Sequence, residues 1–291
     1  MAAHTSILPS EANVSAENRD DSLVEISGGR GGRRGSVSRR QRERILAFAS
    51  PLVFILAWEA ASRLEVLDPR FFPPPSEVLQ QMVALTTSGE LIDSAIVSLK
   101  RLGIGYAVGL VPALMLGLLA GLSRWIRAAV MPLIDSTFPV PKSALAPLLL
   151  LMFGFGEASK WMLVAIGVFY PVFYNTLSGV ANIDRLYLDV AHNYGARSRW
   201  QVIRTVALPG AMPTIFTGFR LGLGIAFILI VIAEMLGAQA GLGYMLVHSW
   251  ALFQVTTMYS AIVTIAILGI SAQILLNFIE RRVVPWNAGT N

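Results

Sequence analysis

The segment DVAHNYGARSRWQVIRTVALP, residues 189–209, is the most informative part of this sequence. It is short, polar and basic, it ends at Leu-Pro, and long apolar runs lie on both sides of it. A charged segment with helix-forming character between two apolar runs is expected to lie in water rather than inside the membrane. We therefore interpret it as a surface that docks onto a soluble partner.

The composition identifies a membrane protein. Hydrophobic residues make up 54% of the 291 residues and charged residues 14%, whereas soluble domains carry about 25% charged residues. The chain has no Cys, and its three His are scattered, so disulfides, thiolate chemistry and clustered metal ligands are not expected. We predict no metal site and no cofactor.

Long apolar runs predict an all-α membrane protein with about six transmembrane helices, because about 20 apolar residues cross the hydrocarbon layer. Gly105 and Gly109 lie four residues apart in the second run, which places small residues on one helix face. The third run contains four prolines, Pro139 among them, and is therefore predicted to be a broken helix. The predicted spans are residues 45–64, 102–122, 128–153, 161–180, 214–236 and 259–279.

Residues 1–44 are predicted to be a disordered basic tail, because they are rich in Ser, Gly, Glu and Arg and poor in apolar side chains. Its arginines are compatible with a site for nucleic acid or anionic lipid, or with a solvated tail that holds its end in the cytoplasm. We favour the solvated tail. Residues 45–286 are then the transmembrane domain, and residues 287–291 are a C-terminal tail.

The distribution of charge predicts the orientation. With six spans, sixteen of the 23 Lys and Arg residues lie on one side, which also carries both termini and residues 189–209. Positive charge is enriched on the cytoplasmic side of membrane proteins, so that side is expected to be cytoplasmic. Lys100 and Arg101 count against this pattern.

Residues 189–209 resemble the EAA loop of bacterial ABC importer permeases, a pattern of Glu-Ala-Ala, then Gly, then Ile-x-Leu-Pro. Asp for Glu keeps the charge, and Val for Ala and for Ile keeps the apolar character. The resemblance implies a type I ABC importer-like fold with a cytoplasmic coupling helix between spans four and five. The residues that match the pattern, and so are expected to couple to an ATPase, are Asp189, Val190, Ala191, Gly195, Val206, Leu208 and Pro209.

Further short motifs resemble the nitrate/sulfonate/taurine branch of that family, which is found in the bacterial inner membrane. They are PPPSEV, SGEL, GLSRW, LMFGFGEASK and GLGY. The resemblance implies a homodimer in the lipid membrane with an ABC ATPase subunit, a periplasmic or extracellular substrate-binding protein and no nucleic acid. The implied substrate is a small anion such as an aliphatic sulfonate, taurine or nitrate. A pyrimidine precursor or an aromatic acid is the alternative within the same role.

The chain contains no Walker A pattern, since no Lys follows a Gly-rich loop. We therefore expect a permease rather than an enzyme, with ATP hydrolysis in a separate subunit. An ion-coupled secondary transporter is the main alternative of another class. An intramembrane enzyme is disfavoured because no paired nucleophile and base are apparent.

Charged residues inside the apolar runs are costly and often functional. The candidates for the translocation pathway are therefore Asp135, Lys142 and Glu234, together with Pro139 of the broken third run. An alternative for Lys142 is an ion pair with Asp135 or Glu234 that only stabilises packing. His192 is interpreted as a surface residue of the coupling segment.

Overall fold

The computed structural model describes residues 33–183, 190, 193–194 and 198–287. The chain divides into two compact units, residues 1–54 and residues 55–291. Helix α1, Arg33–Arg63, belongs to both and contains the first predicted span. It begins inside the predicted disordered tail, because the Arg, Gln and Glu residues just before residue 45 favour a helix. Residues 1–32 of that tail lie outside the described residues.

The described elements of the second unit are helical. Proline stands at the first position of the second helix, where its missing N–H costs nothing. The helices after α1 are α2, Pro75–Thr87; α3, Glu90–Leu122; α4, Arg124–Thr137; α5, Ala146–Phe153; α6, Glu157–Ala181; α7, Arg199–Val202; α8, Leu208–Gly237; α9, Leu242–Ala251; and α10, Val255–Val283.

Four helices are long and apolar enough to cross a membrane: α3, α6, the continuous helix Ile203–Gly237 and α10. A fifth crossing is formed if α4 and the helical residues Lys142–Phe153 count as one span, although the two parts meet at 83°. The predicted break in this run is thus confirmed, whereas its crossing of the membrane as one span stays a prediction. The total of six spans stays a prediction.

Helix α6 lies between α3 and α8, and its buried face is almost entirely apolar. Val164, Val168, Val172 and Phe173 are fully buried in this core. The expected close approach of the glycine face of α3 is confirmed. A Cβ atom at Gly109 would collide with the backbone of α6, so only glycine allows this packing.

Helix α3 is longer than predicted from the sequence. It begins at Glu90, whereas the predicted span begins at residue 102. Gly89 precedes it with a φ of 86°, a conformation that glycine adopts at no steric cost.

Candidate functional site

The first half of the EAA-like segment is described only in part. Asp189, Ala191 and Gly195 lie outside the described residues, as does His192. Val190 is helical and 44% exposed, and its carbonyl accepts a 2.9 Å hydrogen bond from the N–H of Tyr194. The assignment of these positions to an ATPase contact stays a prediction.

The second half of the segment forms helix without interruption. Ser198 caps α7 by accepting a hydrogen bond from the N–H of Gln201 at 3.1 Å. A π-helical turn, Ile203–Ala207, follows and leads directly into α8. Its hydrogen bond from the N–H of Leu208 to the carbonyl of Ile203 spans five residues.

Leu208-Pro209 therefore does not interrupt the helix. Proline lacks an N–H and crowds the carbonyl four residues before it. The wider π turn changes the hydrogen-bond register just before Pro209, so that the helix continues. The helix that contains the fifth predicted span accordingly begins well before residue 214.

The start of α8 is anchored in the protein. Ala211 and Ile215 form a buried cluster with Val180 at the end of α6, and Leu208 packs against it. Val206 and Pro209 are half-buried. Residues 203–209 are thus joined to the helix bundle both by the backbone and by side-chain packing.

The broken third span forms the second candidate site. Helix α4 ends at Thr137, and the chain passes through Pro139 and Pro141 into a short 3-10 helix, Lys142–Leu145. Pro139 is exposed in this connection. Proline after the last helical turn prevents the helix from continuing, so the bend has a local cause.

Lys142 fixes the geometry of this bend. Its ammonium donates three hydrogen bonds of 2.9 Å, one each to the carbonyls of Thr137, Phe138 and Val140. It also lies 3.9 Å from the ring centroid of Tyr170. A positive charge at the last carbonyls of α4 complements the helix dipole. The ion pair considered for Lys142 with Asp135 or Glu234 does not form within the described residues.

Asp135 lies on the exposed side of the same bend. The hydroxyl of Tyr174 donates a 2.6 Å hydrogen bond to its carboxylate, and the hydroxyl of Tyr170 donates to Thr137 at 3.0 Å. Neither tyrosine was predicted from the sequence. The sequence does contain a signal for them: the two hydroxyl groups are four residues apart in an apolar helix, and this spacing places them on one face.

Glu234 lies in a different constellation. It is fully buried and accepts hydrogen bonds from Ser98, from the N–H of Gly243 at 3.0 Å and from Arg101 at 2.9 Å. The described contacts of Glu234 share no residue with those of Lys142. The pathway candidates are therefore divided between two places, and their role in the pathway stays a prediction.

Arg101 is the residue that the sequence interpretation missed. Its guanidinium donates two parallel hydrogen bonds of 2.7 Å to Glu157 and a further one to Glu234. The side chain of Arg101 is only 8% exposed. Its charge is thus balanced by two carboxylates.

A second ion pair between apolar helices was also not predicted from the sequence. Arg220 of α8 pairs with Glu280 of α10, and its carbonyl accepts a 3.2 Å hydrogen bond from Gln273. Pairing of this kind reduces the cost of a charge among apolar helices. The ion pair and this hydrogen bond together connect α8 to α10.

These features define the class: a multi-pass α-helical membrane protein with a broken span and a polar segment that leads directly into a long helix. The family described as "Binding-protein-dependent transport system inner membrane component" matches residues 113–285. The chain belongs to this family of ABC importer permeases and falls in its sulfonate/taurine branch.

Three relatives illustrate the similarity. The putative aliphatic sulfonates transport permease protein SsuC of Bacillus subtilis is 34% identical over 237 residues, covering 81% of this chain and 85% of the relative. The taurine transport system permease protein TauC of Escherichia coli is 32% identical over 251 residues, with 84% and 91% covered. The putative SsuC of Escherichia coli is 35% identical over 244 residues, with 84% and 92% covered.

Proposed function

We propose that this chain is the permease subunit of an ATP-driven importer and forms, as a homodimer, the translocation pathway for a small anion. The substrates considered are an aliphatic sulfonate, taurine or nitrate. Sulfonates and taurine are supported by the relatives, which are described as sulfonate and taurine transport permeases. An ion-coupled secondary transporter is disfavoured, because the chain belongs to a family of binding-protein-dependent transport components.

The observation that carries the proposal is the continuity of the EAA-like segment with the membrane helix. Residues 203–237 form one helix, and the packing of Leu208 anchors its beginning near the end of α6. An ATPase subunit bound to residues 189–209 would therefore move α8 directly. Nucleotide would bind to that partner, and an external binding protein would deliver the substrate.

The exposed polar side of the broken span supports the proposed homodimer. Asp135 is exposed in the single chain, as are the neighbouring Ser136 and Thr137. Polar groups at membrane depth are tolerated when they meet protein or line a wet cavity. A second copy facing this side would complete the cavity. Asp135, Pro139 and Lys142 would then lie beside the pathway, and Glu234 would lie at its border.

In this proposal both termini lie in the cytoplasm, with residues 1–44 as a basic tail, residues 45–286 as the permease domain and residues 287–291 as a short C-terminal tail. The sixteen basic residues on one side support the orientation. The tail is proposed to remain solvated rather than to bind nucleic acid.

The test is ATP-dependent uptake by proteoliposomes that contain the permease, its ATPase and its binding protein. Gly195→Leu is expected to abolish uptake while leaving membrane insertion intact, because a large side chain prevents close docking of the ATPase. Gly269→Leu is the matched control, since a side chain there meets open space. Normal uptake by G195L, or uptake driven by an ion gradient without ATP, would contradict the proposal.

A further inference from the structure

The bend of the third span brings a negative and a positive side chain to one face of α6. Tyr174 binds the carboxylate of Asp135, and the ring of Tyr170 contacts the ammonium of Lys142. The two tyrosines are four residues apart and therefore lie one above the other on the helix. Asp135 and Lys142 thus lie along the same face without forming a salt bridge within the described residues.

The positive charge of this site is held in place. An ammonium group has three N–H donors, and carbonyls at the bend accept all three from Lys142. The position of the charge is therefore fixed by the backbone. Lys142 attracts an anionic group by its charge, without a free N–H to donate.

The carboxylate of Asp135 can accept further hydrogen bonds. A carboxylate has about four acceptor positions, and Tyr174 is the one side chain among the described residues that donates to Asp135. Phe138 packs edge-to-face on Tyr174 and also contacts Tyr170, so aromatic rings lie beside the carboxylate. Carboxylate oxygens and aromatic rings are the groups that bind an ammonium ion.

A simple anion does not match this arrangement, because it would be attracted by Lys142 and repelled by Asp135. A small zwitterion matches both ends: its anionic group is attracted to Lys142 and its ammonium group to Asp135. We propose that Asp135 is a specificity-determining residue that favours substrates carrying an ammonium group together with an anionic group, such as ω-aminosulfonates. This inference rests on the proposed function of the chain.

The experiment compares 2-aminoethanesulfonate with ethanesulfonate, which lacks the amino group. Proteoliposomes with the complete transporter are supplied with saturating binding protein, and ATP-dependent uptake of each compound is measured. The wild type is expected to prefer the zwitterion. Asp135→Asn is expected to shift the ratio of the two rates by about ten-fold towards ethanesulfonate. The binding protein is the same in both samples, so its own preference cancels.

Two further variants separate charge from structure. Asp135→Glu keeps the charge and is expected to restore the preference for the zwitterion, whereas Asp68→Asn removes an exposed carboxylate outside the helices and is expected to change nothing. An unchanged ratio in D135N, together with normal ATP-dependent uptake, would overturn the inference and leave the proposed function standing.

The other outcomes are equally distinct. A shift of the ratio towards ethanesulfonate in D135E, which keeps the negative charge, would overturn the inference even if D135N does not fold. Absence of ATP-dependent uptake of any tested substrate by the wild-type complex would instead contradict the proposed function.

Discussion

Arg101 and Glu157 are joined by two parallel hydrogen bonds of 2.7 Å, and the same guanidinium reaches the fully buried Glu234. The planar guanidinium matches a carboxylate in this two-bonded geometry. One side chain of α3 thereby connects to α6 and to α8. A buried charge that loses its partner is strongly destabilising, so loss of Arg101 is expected to lower the stability of the protein.

Arg101→Met is expected to destabilise the protein by about 3–5 kcal/mol, because Glu234 would be left buried without its cation. Thermal unfolding of the purified protein in detergent measures the effect as a lower midpoint. Arg63→Met is the control, since Arg63 pairs with Glu59 at an exposed position. Equal midpoints for R101M and the wild type would show that the cluster adds nothing to stability.

Gly109→Ala is expected to destabilise the protein by about 1–3 kcal/mol, because the added methyl group collides with the backbone of α6. Gly103→Ala is the matched control on the same helix, since a Cβ atom there meets no neighbour. The two variants are compared by thermal unfolding. A larger loss in G103A than in G109A would contradict the packing of α3 on α6.

Deletion of Thr205 is expected to abolish ATP-dependent uptake without preventing membrane insertion. Removing one residue from the π turn would restore the α-helical register, in which the ring of Pro209 crowds the carbonyl four residues before it and kinks the start of α8. Thr205→Val keeps the chain length and loses only the hydrogen bond to the carbonyl of Gln201. Uptake should therefore persist in T205V, and normal uptake by the deletion variant would refute the importance of the register.

The orientation can be tested with single cysteines, because the natural chain contains none. Tyr194→Cys, at a position that is 90% exposed, is expected to react with a membrane-impermeant maleimide only from the cytoplasmic side. Gln239→Cys, exposed between α8 and α9, is expected to react only from outside. Labelling of both positions from the same side would contradict the orientation.

The features that the sequence predicted correctly have local causes. Pro139 and Pro141 follow the last turn of α4 and prevent it from continuing. Glycines four residues apart form a smooth helix face whatever the partner. The broken span and the packing of α3 were therefore predictable. The family resemblance added the importer role, because residues 189–209 carry their pattern in a single stretch.

The features that were missed depend on distant partners. Arg101 meets Glu157 and Glu234, which lie 56 and 133 residues further along the chain. Tyr174 reaches Asp135 across 39 residues. The spacing of residues along the sequence does not indicate which distant side chains will pair. The continuation of the helix through Pro209 was missed for another reason, since the π turn that accommodates it has no strong sequence signal.

The unbroken helix Ile203–Gly237 has a mechanical consequence. Its 35 residues extend over roughly 50 Å, more than the thickness of the hydrocarbon layer. Glu234 lies in its last turn, bound to Arg101, while its first turn continues the EAA-like segment. In the proposed mechanism the helix would act as a lever arm, and a tilt applied at its Ile203 end would change the load on a buried ion pair at the far end.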